Sequence, residues 1–364
     1  MNQNLKTFLS PFMYGKEIPS VAIAGPCSAE TEEQTLATAQ ALAKTGIPVF
    51  RAGIWKPRTR PGCFEGVGAI GLKWLRRVKA ETGMAVATEV ATGLHAKMAL
   101  RHGIDIIWIG ARTTANPFAL NEIAEILKEY PETPVMIKNP VGPDIDAWTG
   151  AFERLRRAGI HRLAAVHRGF SHFSPSPYRN NPEWSVAFEL RRRHPDLPLI
   201  VDPSHIAGKR ELVGPVAQAA LDLGFDGLMI ESHICPDCAW SDKQQQLTPD
   251  QLADLCSKLK IREDDAPSRE LDILRDHIDL IDNGLIDLLR QRMEAAENIG
   301  VYKRHHEMPV LQEGRYRDLM EKRIAQSTAL GLSETFMRRL FQTIHAESVR
   351  LQLLNDNECD GVQS

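Results

Sequence analysis

From Val21 onward the chain alternates short runs rich in β-branched residues with helical segments of roughly ten to fifteen residues, the pattern of repeated parallel βα units. The expected strands are Val21–Ala24, Val49–Arg51, Ala85–Glu89, Ile104–Ile109, Val135–Lys138, Arg162–His167, Leu199–Asp202 and Gly227–Glu231. Amphipathic helices are expected between them, among them Glu33–Lys44, Gly68–Glu81, Asn121–Glu129 and Val213–Leu223. Eight such units over about 240 residues fit a closed (β/α)8 TIM barrel, an α/β fold that gathers its chemistry at the C-terminal ends of the strands. An open, doubly wound sheet is the alternative, although no Gly-x-Gly-x-x-Gly follows the first strand.

The residues with unusual chemistry fall at those ends. Cys27 follows the first strand, Arg51 and Lys56 the second, and Glu89 closes the third; Arg112 follows the fourth and Lys138 ends the fifth. His167 and Arg168 mark the sixth strand, Asp202 and His205 the seventh, and Glu231 and His233 the eighth. Each has an ordinary explanation alone, as an exposed strand end or a helix cap, but random charge would appear equally at the opposite ends. The densest stretch, Arg51-Ala52-Gly53-Ile54-Trp55-Lys56-Pro57-Arg58-Thr59-Arg60-Pro61, carries four cations. A solvated basic turn is one account of it. Prolines that restrict the loop, together with forked and point-like donors, suit a phosphorylated anion better.

Arg-x-x-x-x-Lys-Pro-Arg-Thr after a strand resembles the signature of the 3-deoxy-arabino-heptulosonate 7-phosphate (DAHP) synthases; the related 3-deoxy-octulosonate 8-phosphate synthases typically read Lys-Ala-Asn-Arg-Ser there. The resemblance implies that Arg51, Lys56, Arg112, Lys138 and Arg168 bind phosphoenolpyruvate, and that Lys56, Pro57, Arg58 and Thr59 meet erythrose 4-phosphate. It also makes Lys56 a catalytic residue. The segments Gly25-Pro26-Cys27-Ser28, Asp202-Pro203-Ser204-His205, Ile230-Glu231-Ser232-His233 and Ser241-Asp242 look like the family's metal-ligand segments. Cys27, His205, Glu231 and Asp242 are therefore the expected ligands. A thiolate, an imidazole and two carboxylates suit a borderline divalent ion, Mn²⁺ first, with Fe²⁺, Co²⁺ or Zn²⁺ as alternatives. Cys235-Pro236-Asp237-Cys238 is read as a chance pair of thiols, since no second pair stands at zinc-finger spacing.

Past Leu259 the strand signals stop. Residues 263–268 form a polar, proline-bearing linker between a barrel of residues 1–262 and an all-helical domain of residues 269–355, with Ser268 as the expected N-cap and 356–364 as a flexible tail. Helices are expected from about Arg269 to Lys303, Glu313 to Ala329 and Ser333 to Leu354. On the first, Ile278, Ile281, Leu285, Leu288, Leu289 and Ile299 share a stripe that Arg292 and Lys303 interrupt. Cations on an apolar seam either snorkel outward or meet an anion.

This segment looks like an all-helical chorismate mutase. The resemblance places Arg275, Arg292, Lys303, Arg315, Ser348 and Gln352 at substrate-binding positions, with Arg292, Lys303 and Gln352 catalytic. Arg275 lies about 25 Å along the helix from Arg292, so it is expected to serve a partner's pocket in an intertwined homodimer. Gln312 and Tyr316 stand where many members carry acidic, hydroxyl-binding residues. A domain that only senses prephenate is thus the alternative, on a barrel of the octulosonate type.

The sequence predicts a bifunctional enzyme of aromatic amino acid biosynthesis, acting on phosphoenolpyruvate, erythrose 4-phosphate and chorismate, with prephenate as a candidate effector. The barrel is expected to begin almost at once, with feedback control coming from the helical domain. A net charge of −3 gives no reason to expect nucleic acid or membrane as partner. No apolar run approaches the ~20 residues of a membrane span, and six scattered cysteines suggest reduced thiols in the cytoplasm.

Overall fold

The computed structural model describes residues 3–13, 19–57, 62–173, 175–261 and 269–354. Eight parallel strands close in sequence order into one barrel: β1 (Val21–Gly25), β2 (Val49–Arg51), β3 (Ala85–Val90), β4 (Ile106–Ile109), β5 (Val135–Lys138), β6 (Leu163–His167), β7 (Leu199–Val201) and β8 (Gly227–Glu231). Closure places Gly25 of β1 beside Glu231 of β8. All eight expected strands are present with ends shifted by a residue or two. Asp202, for example, lies past β7, where its side chain caps the next helix by accepting from the His205 backbone N–H.

Around the barrel run α2 (Glu32–Ala43), α3 (Ile70–Thr82), α4 (Gly93–Arg101), α5 (Ala111–Thr114), α6 (Pro117–Leu127), α7 (Ile145–Arg157), α8 (Trp184–Arg193), α9 (Pro203–Ala207), α10 (Arg210–Asp222) and α11 (Pro249–Lys258). Their starts are written locally. Thr31, Thr92, Asn116, Asp144 and Thr248 each accept from a backbone N–H of the first turn, the role that favours short oxygen-bearing side chains there.

Alternation along the strands separates two apolar layers. One face packs outward against the helices. The other fills the barrel with Val49, Ala85, Ala87, Ile106, Trp108, Met136, Ala164, Val166, Ile200 and Met229. An additional helix, α1 (Gln3–Met13), closes this interior layer with Leu5, Phe8 and Leu9. The sequence reading started the barrel at Val21 and did not anticipate α1, although Leu5, Phe8 and Leu9 have helical spacing. The next inward positions beyond the apolar layer are charged: Arg51 two residues after Val49, Glu89 after Ala87, Lys138 after Met136, Asp202 after Ile200 and Glu231 after Met229.

The chain divides into compact units at Met1–Glu263 and Asp264–Ser364. Linker 263–268, with Ser268, and tail 356–364 lie outside the described residues. The second unit consists of α12 (Arg269–His305), α13 (Glu313–Ala329) and α14 (Glu334–Leu354), with α14 packed along both others. Gly300 permits the close approach of α12 and α14, since a Cβ there would meet Gln352 Cγ at 3.0 Å. Ile278, Ile281, Leu285 and Leu288 are more than half exposed in the single chain.

His167, at the end of β6, does not face the barrel mouth. It is fully buried among Trp148, Phe170, Trp184 and Phe225. Burial lowers its pKa to about 3, against a smaller opposing effect of the Pro182 backbone. A histidine that ordinarily titrates near 6.5 therefore stays neutral in the fold, and its stabilising contribution is complete above 6.5 and lost as pH falls toward 3. Between pH 6.5 and 5.0 this costs the barrel about 2 kcal/mol. Denaturant unfolding at those two pH values should show that difference shrinking by a similar amount in His167→Leu.

Candidate active sites

The mouth of the barrel is built on Trp108. Its indole Nε1 donates to Glu89 Oε2 at 3.1 Å, while the Arg51 guanidinium lies 5.0 Å and the Lys138 ammonium 5.9 Å from its ring centroid. An electron-rich ring face under two cations offsets part of their desolvation. Glu89 can take this position because residue 110 is glycine: a Cβ there would fall 2.1 Å from Glu89 Oε1.

Buried carboxylates balance the cations. Arg51 NH2 lies 3.1 Å from Glu231 Oε1, and its NH1 3.8 Å from Asp202 Oδ2. Asp202 Oδ2 also accepts from Lys138 Nζ at 2.8 Å and lies 2.8 Å from His205 Nδ1. The imidazole is thereby aimed so that Nε2 faces Glu231 Oε1 at 3.8 Å. Across the mouth, Cys27 Sγ is 3.0 Å from Asp242 Oδ2 and 2.8 Å from Lys56 Nζ.

The electrostatics follow from this arrangement. Burial would raise the pKa of Asp202, but His205, Lys138 and Arg51 hold it well below the ordinary carboxylate value. The same contest leaves Asp242 low, with Arg179, His205 and Lys56 outweighing burial, and Glu231 low beside His205 and Arg51. Burial pushes the Cys27 thiol up, and Glu231 and Asp242 push it further than Lys56 and Arg51 pull it back. Burial also lowers the Arg168 guanidinium to about 10.

Of the residues expected from sequence, Lys56, Pro57, Arg112, Lys138, Arg168, His205 and Asp242 line one cleft, together with Glu89 and Arg179. Cys27, Arg51 and Glu231 are fully buried and join the cleft through the pairs above. Arg58 and Thr59 lie outside the described residues. In the positions the side chains take, no three His, Cys, Asp or Glu among the described residues stand together as a metal cage. The donor set nevertheless fits a borderline divalent ion in kind. Glu231 Oε1, moreover, is buried without a hydrogen bond, facing only the charges of Arg51 at 3.1 Å and His205 at 3.8 Å among the described residues.

Sequence reasoning missed several neutral partners. Asn139 accepts from the Arg168 backbone N–H at 2.7 Å, and Asn180 accepts from Arg168 NH1 at 2.9 Å. Arg179, Gln245 and Gln246 contact the expected metal ligands. Asparagine and glutamine in loops carry no spacing signal, so only coordinates reveal them. One expectation is corrected: Cys235 and Cys238 are joined by a disulfide around the turn Pro236–Cys238, where free thiols were expected.

In the helical unit, Arg292 NH1 donates to Ser348 Oγ, and also to the Ile344 carbonyl at 3.4 Å. Ser348 and Gln352 are buried one turn apart, with Gln352 Nε2 bonded to the Ser348 carbonyl and its Oε1 left without a partner. Lys303 Nζ donates to the Val310 carbonyl. His345, also missed in the sequence, packs tilted against Tyr316 with ring centroids 4.4 Å apart, and its pKa is lowered by burial and by the charges of Arg292 and Lys303. Arg315 is exposed on α13, and Arg275 is exposed near the start of α12.

Residues 4–265 match the family model described as DAHP synthetase I family. The chain belongs to the DAHP synthetase I family. Residues 274–353 match chorismate mutase type II. A phospho-2-dehydro-3-deoxyheptonate aldolase of Thermotoga maritima is 35% identical over 238 residues, covering 65% of this chain and 68% of that protein. A 2-dehydro-3-deoxyphosphooctonate aldolase of Desulfosudis oleivorans is 29% identical over 271 residues, 69% of this chain and 93% of the relative. Among solved structures, a Thermotoga maritima DAHP synthase superposes with a TM-score of 0.59 at 32% identity, covering 66% of this chain and 68% of that one. A truncated form from the same organism gives 0.57 at 29% identity, covering 71% and 87%. A DAHP synthase barrel followed by a chorismate mutase domain makes this a bifunctional enzyme of the shikimate pathway.

Arg51 is the cation on which the buried carboxylates of the DAHP synthase barrel converge. Arg51→Met should destabilise the barrel by roughly 3–5 kcal/mol, because it leaves buried charge uncompensated. Arg193→Met, which removes surface pairs with Asp146 and Glu189, should cost no more than about 1 kcal/mol. Equilibrium denaturation of the two variants gives the comparison.

Proposed function

We propose that the barrel mouth condenses phosphoenolpyruvate with erythrose 4-phosphate, Arg51, Lys56, Arg112, Lys138 and Arg168 binding the first and Lys56, Pro57, Arg58 and Thr59 the second. The observation that carries this reading is the convergence of five cations, Lys56, Arg112, Lys138, Arg168 and Arg179, on one cleft whose wall also bears His205 and Asp242. Two anionic substrates repel each other, and fixed cations offset that repulsion without reorganising as the reaction proceeds. The methylene carbon of phosphoenolpyruvate bonds to the aldehyde carbon, water adds at the former enol carbon, and phosphate leaves. Lys56, at the Cys27 side of the mouth, is suited to hold the phosphate-bearing substrate against the aldehyde.

Cys27, His205, Glu231 and Asp242 are the residues proposed to hold a divalent ion, Mn²⁺ by preference. When bound, such an ion supplies a Lewis acid for the aldehyde oxygen. Asp202 would keep His205 Nδ1 engaged, so that Nε2 is the ring nitrogen offered to the site. Trp108 and Glu89 keep the base of the cleft rigid beneath the reacting carbons.

In the helical unit Arg292 and Arg315 are proposed to grip the carboxylates of chorismate, with Lys303 and Gln352 stabilising charge on the ether oxygen as it breaks. The unpartnered, buried Gln352 Oε1 supports a ligand at that face. Exposure of Ile278, Ile281, Leu285 and Leu288 supports a homodimer in which Arg275 reaches the partner's pocket and Ser348 anchors Arg292. The proposed division is a barrel of residues 1–262, linker 263–268 and mutase 269–355. Prephenate is the proposed effector, and the cytoplasm the proposed compartment.

Chelation should abolish phosphate release from the two barrel substrates and Mn²⁺ should restore it, while Cys27→Ala stays inactive in either condition. Activity that persists in chelator would sink the metal assignment. Chorismate turnover by the same chain should continue in chelator and fall roughly 100-fold in Arg292→Ala, the scale expected for losing one preorganised donor. Prephenate binding without any turnover would instead identify a sensor.

A further inference from the structure

Gln245 stands outside the cleft's reactive wall, is 1% exposed, bonds directly to the Glu231 carboxylate and is linked to the Asp242 carboxylate through the guanidinium of Arg179. Its Nε2 donates to Glu231 Oε2 at 2.7 Å, and its Oε1 accepts from Arg179 NH1 at 2.8 Å. The same guanidinium nitrogen donates to Asp242 Oδ1 at 2.8 Å. A carboxylate only accepts and a guanidinium only donates, so one amide orientation alone satisfies both neighbours. Glutamate in this place would face Glu231 with a like charge, and an apolar side chain would engage neither.

Each carboxylate therefore has one oxygen tethered from outside and the other turned inward. Glu231 Oε1 lies 3.1 Å from Arg51 NH2 and 3.8 Å from His205 Nε2, and Asp242 Oδ2 lies 3.0 Å from Cys27 Sγ. Gln246 completes the frame: its Oε1 accepts from the Cys27 backbone N–H, and its Nε2 donates to the Ser241 carbonyl, both at 2.9 Å. Asp242 itself sits at φ 50°, in the left-handed region that few residues other than glycine, asparagine and aspartate adopt.

We propose that Gln245, anchored by Arg179, is a positioning residue that sets the distance between Glu231 and Asp242 and so tunes the affinity of the site for its divalent ion. This rests on the metal reading above. The test uses the full chain: Mn²⁺ binding followed by electron paramagnetic resonance of the free ion, with phosphoenolpyruvate binding by equilibrium dialysis reporting an intact mouth. Gln245→Met should weaken Mn²⁺ roughly tenfold to hundredfold, the usual effect of losing an outer-shell partner, with KM for phosphoenolpyruvate within about twofold and kcat recovering at high Mn²⁺. Gln245→Glu should also weaken the ion despite its added negative charge, because it loses the donor to Glu231.

Equal Mn²⁺ affinity in wild type and Gln245→Met overturns the inference and leaves the metal reading standing. Tighter binding by Gln245→Glu overturns it too, since charge and not spacing would then govern affinity. A wild-type chain that binds phosphoenolpyruvate but no Mn²⁺ overturns the metal reading and this inference with it.

Discussion

Opposite charges buried at the top of the barrel interior are the constraint from which the site derives. Arg51 and Lys138 lie over Trp108 and meet Asp202 and Glu231 in a region closed to solvent. None of these ions is tolerable alone in such a place, and together they compensate one another only in this geometry. The strand alternation that fills the barrel with apolar side chains also lifts these charges to a single level, so packing and chemistry share one register. The site is consequently stiff, as a device that must hold mutually repelling anions needs to be.

Much of this was legible in the chain. Eight βα periods defined the barrel, and the charged residues that close its strands marked its working end. Arg51, Lys138 and Glu231 were readable because the strand period of two carries them to the same face as Val49, Met136 and Met229. His167 also ends a strand, but it stands one residue after the inward Val166, so the same period of two turns it outward into an aromatic nest away from the mouth. The amide partners Asn139, Asn180, Gln245 and Gln246 were silent because neutral polar side chains occur in loops of every kind. What recruits them is the position of a neighbouring charge, which exists only after folding. The Cys235–Cys238 link was likewise invisible, since two thiols three residues apart pair or stay apart according to the turn between them.

The two units draw on opposite physical resources. The barrel closes on itself and leaves no strand edge free, whereas the helical unit leaves a long apolar stripe of α12 uncovered in the single chain. Three helices do not enclose a full core, and Arg292 owes part of its setting to the buried Ser348 of α14 beside it. Gly300 is informative here. By letting α14 approach α12 at Gln352 it substitutes proximity of backbones for volume of side chains.

The helix α1 has a consequence for the order of assembly. Leu5 lies against Gly227 of β8, and Leu5, Phe8 and Leu9 join a layer drawn from every strand. Because α1 precedes every barrel strand in the chain, it finds its full seat only after β8 has been synthesised. Until then the underside of the nascent barrel lacks its cover, and the growing chain carries an apolar helix face without its docking site.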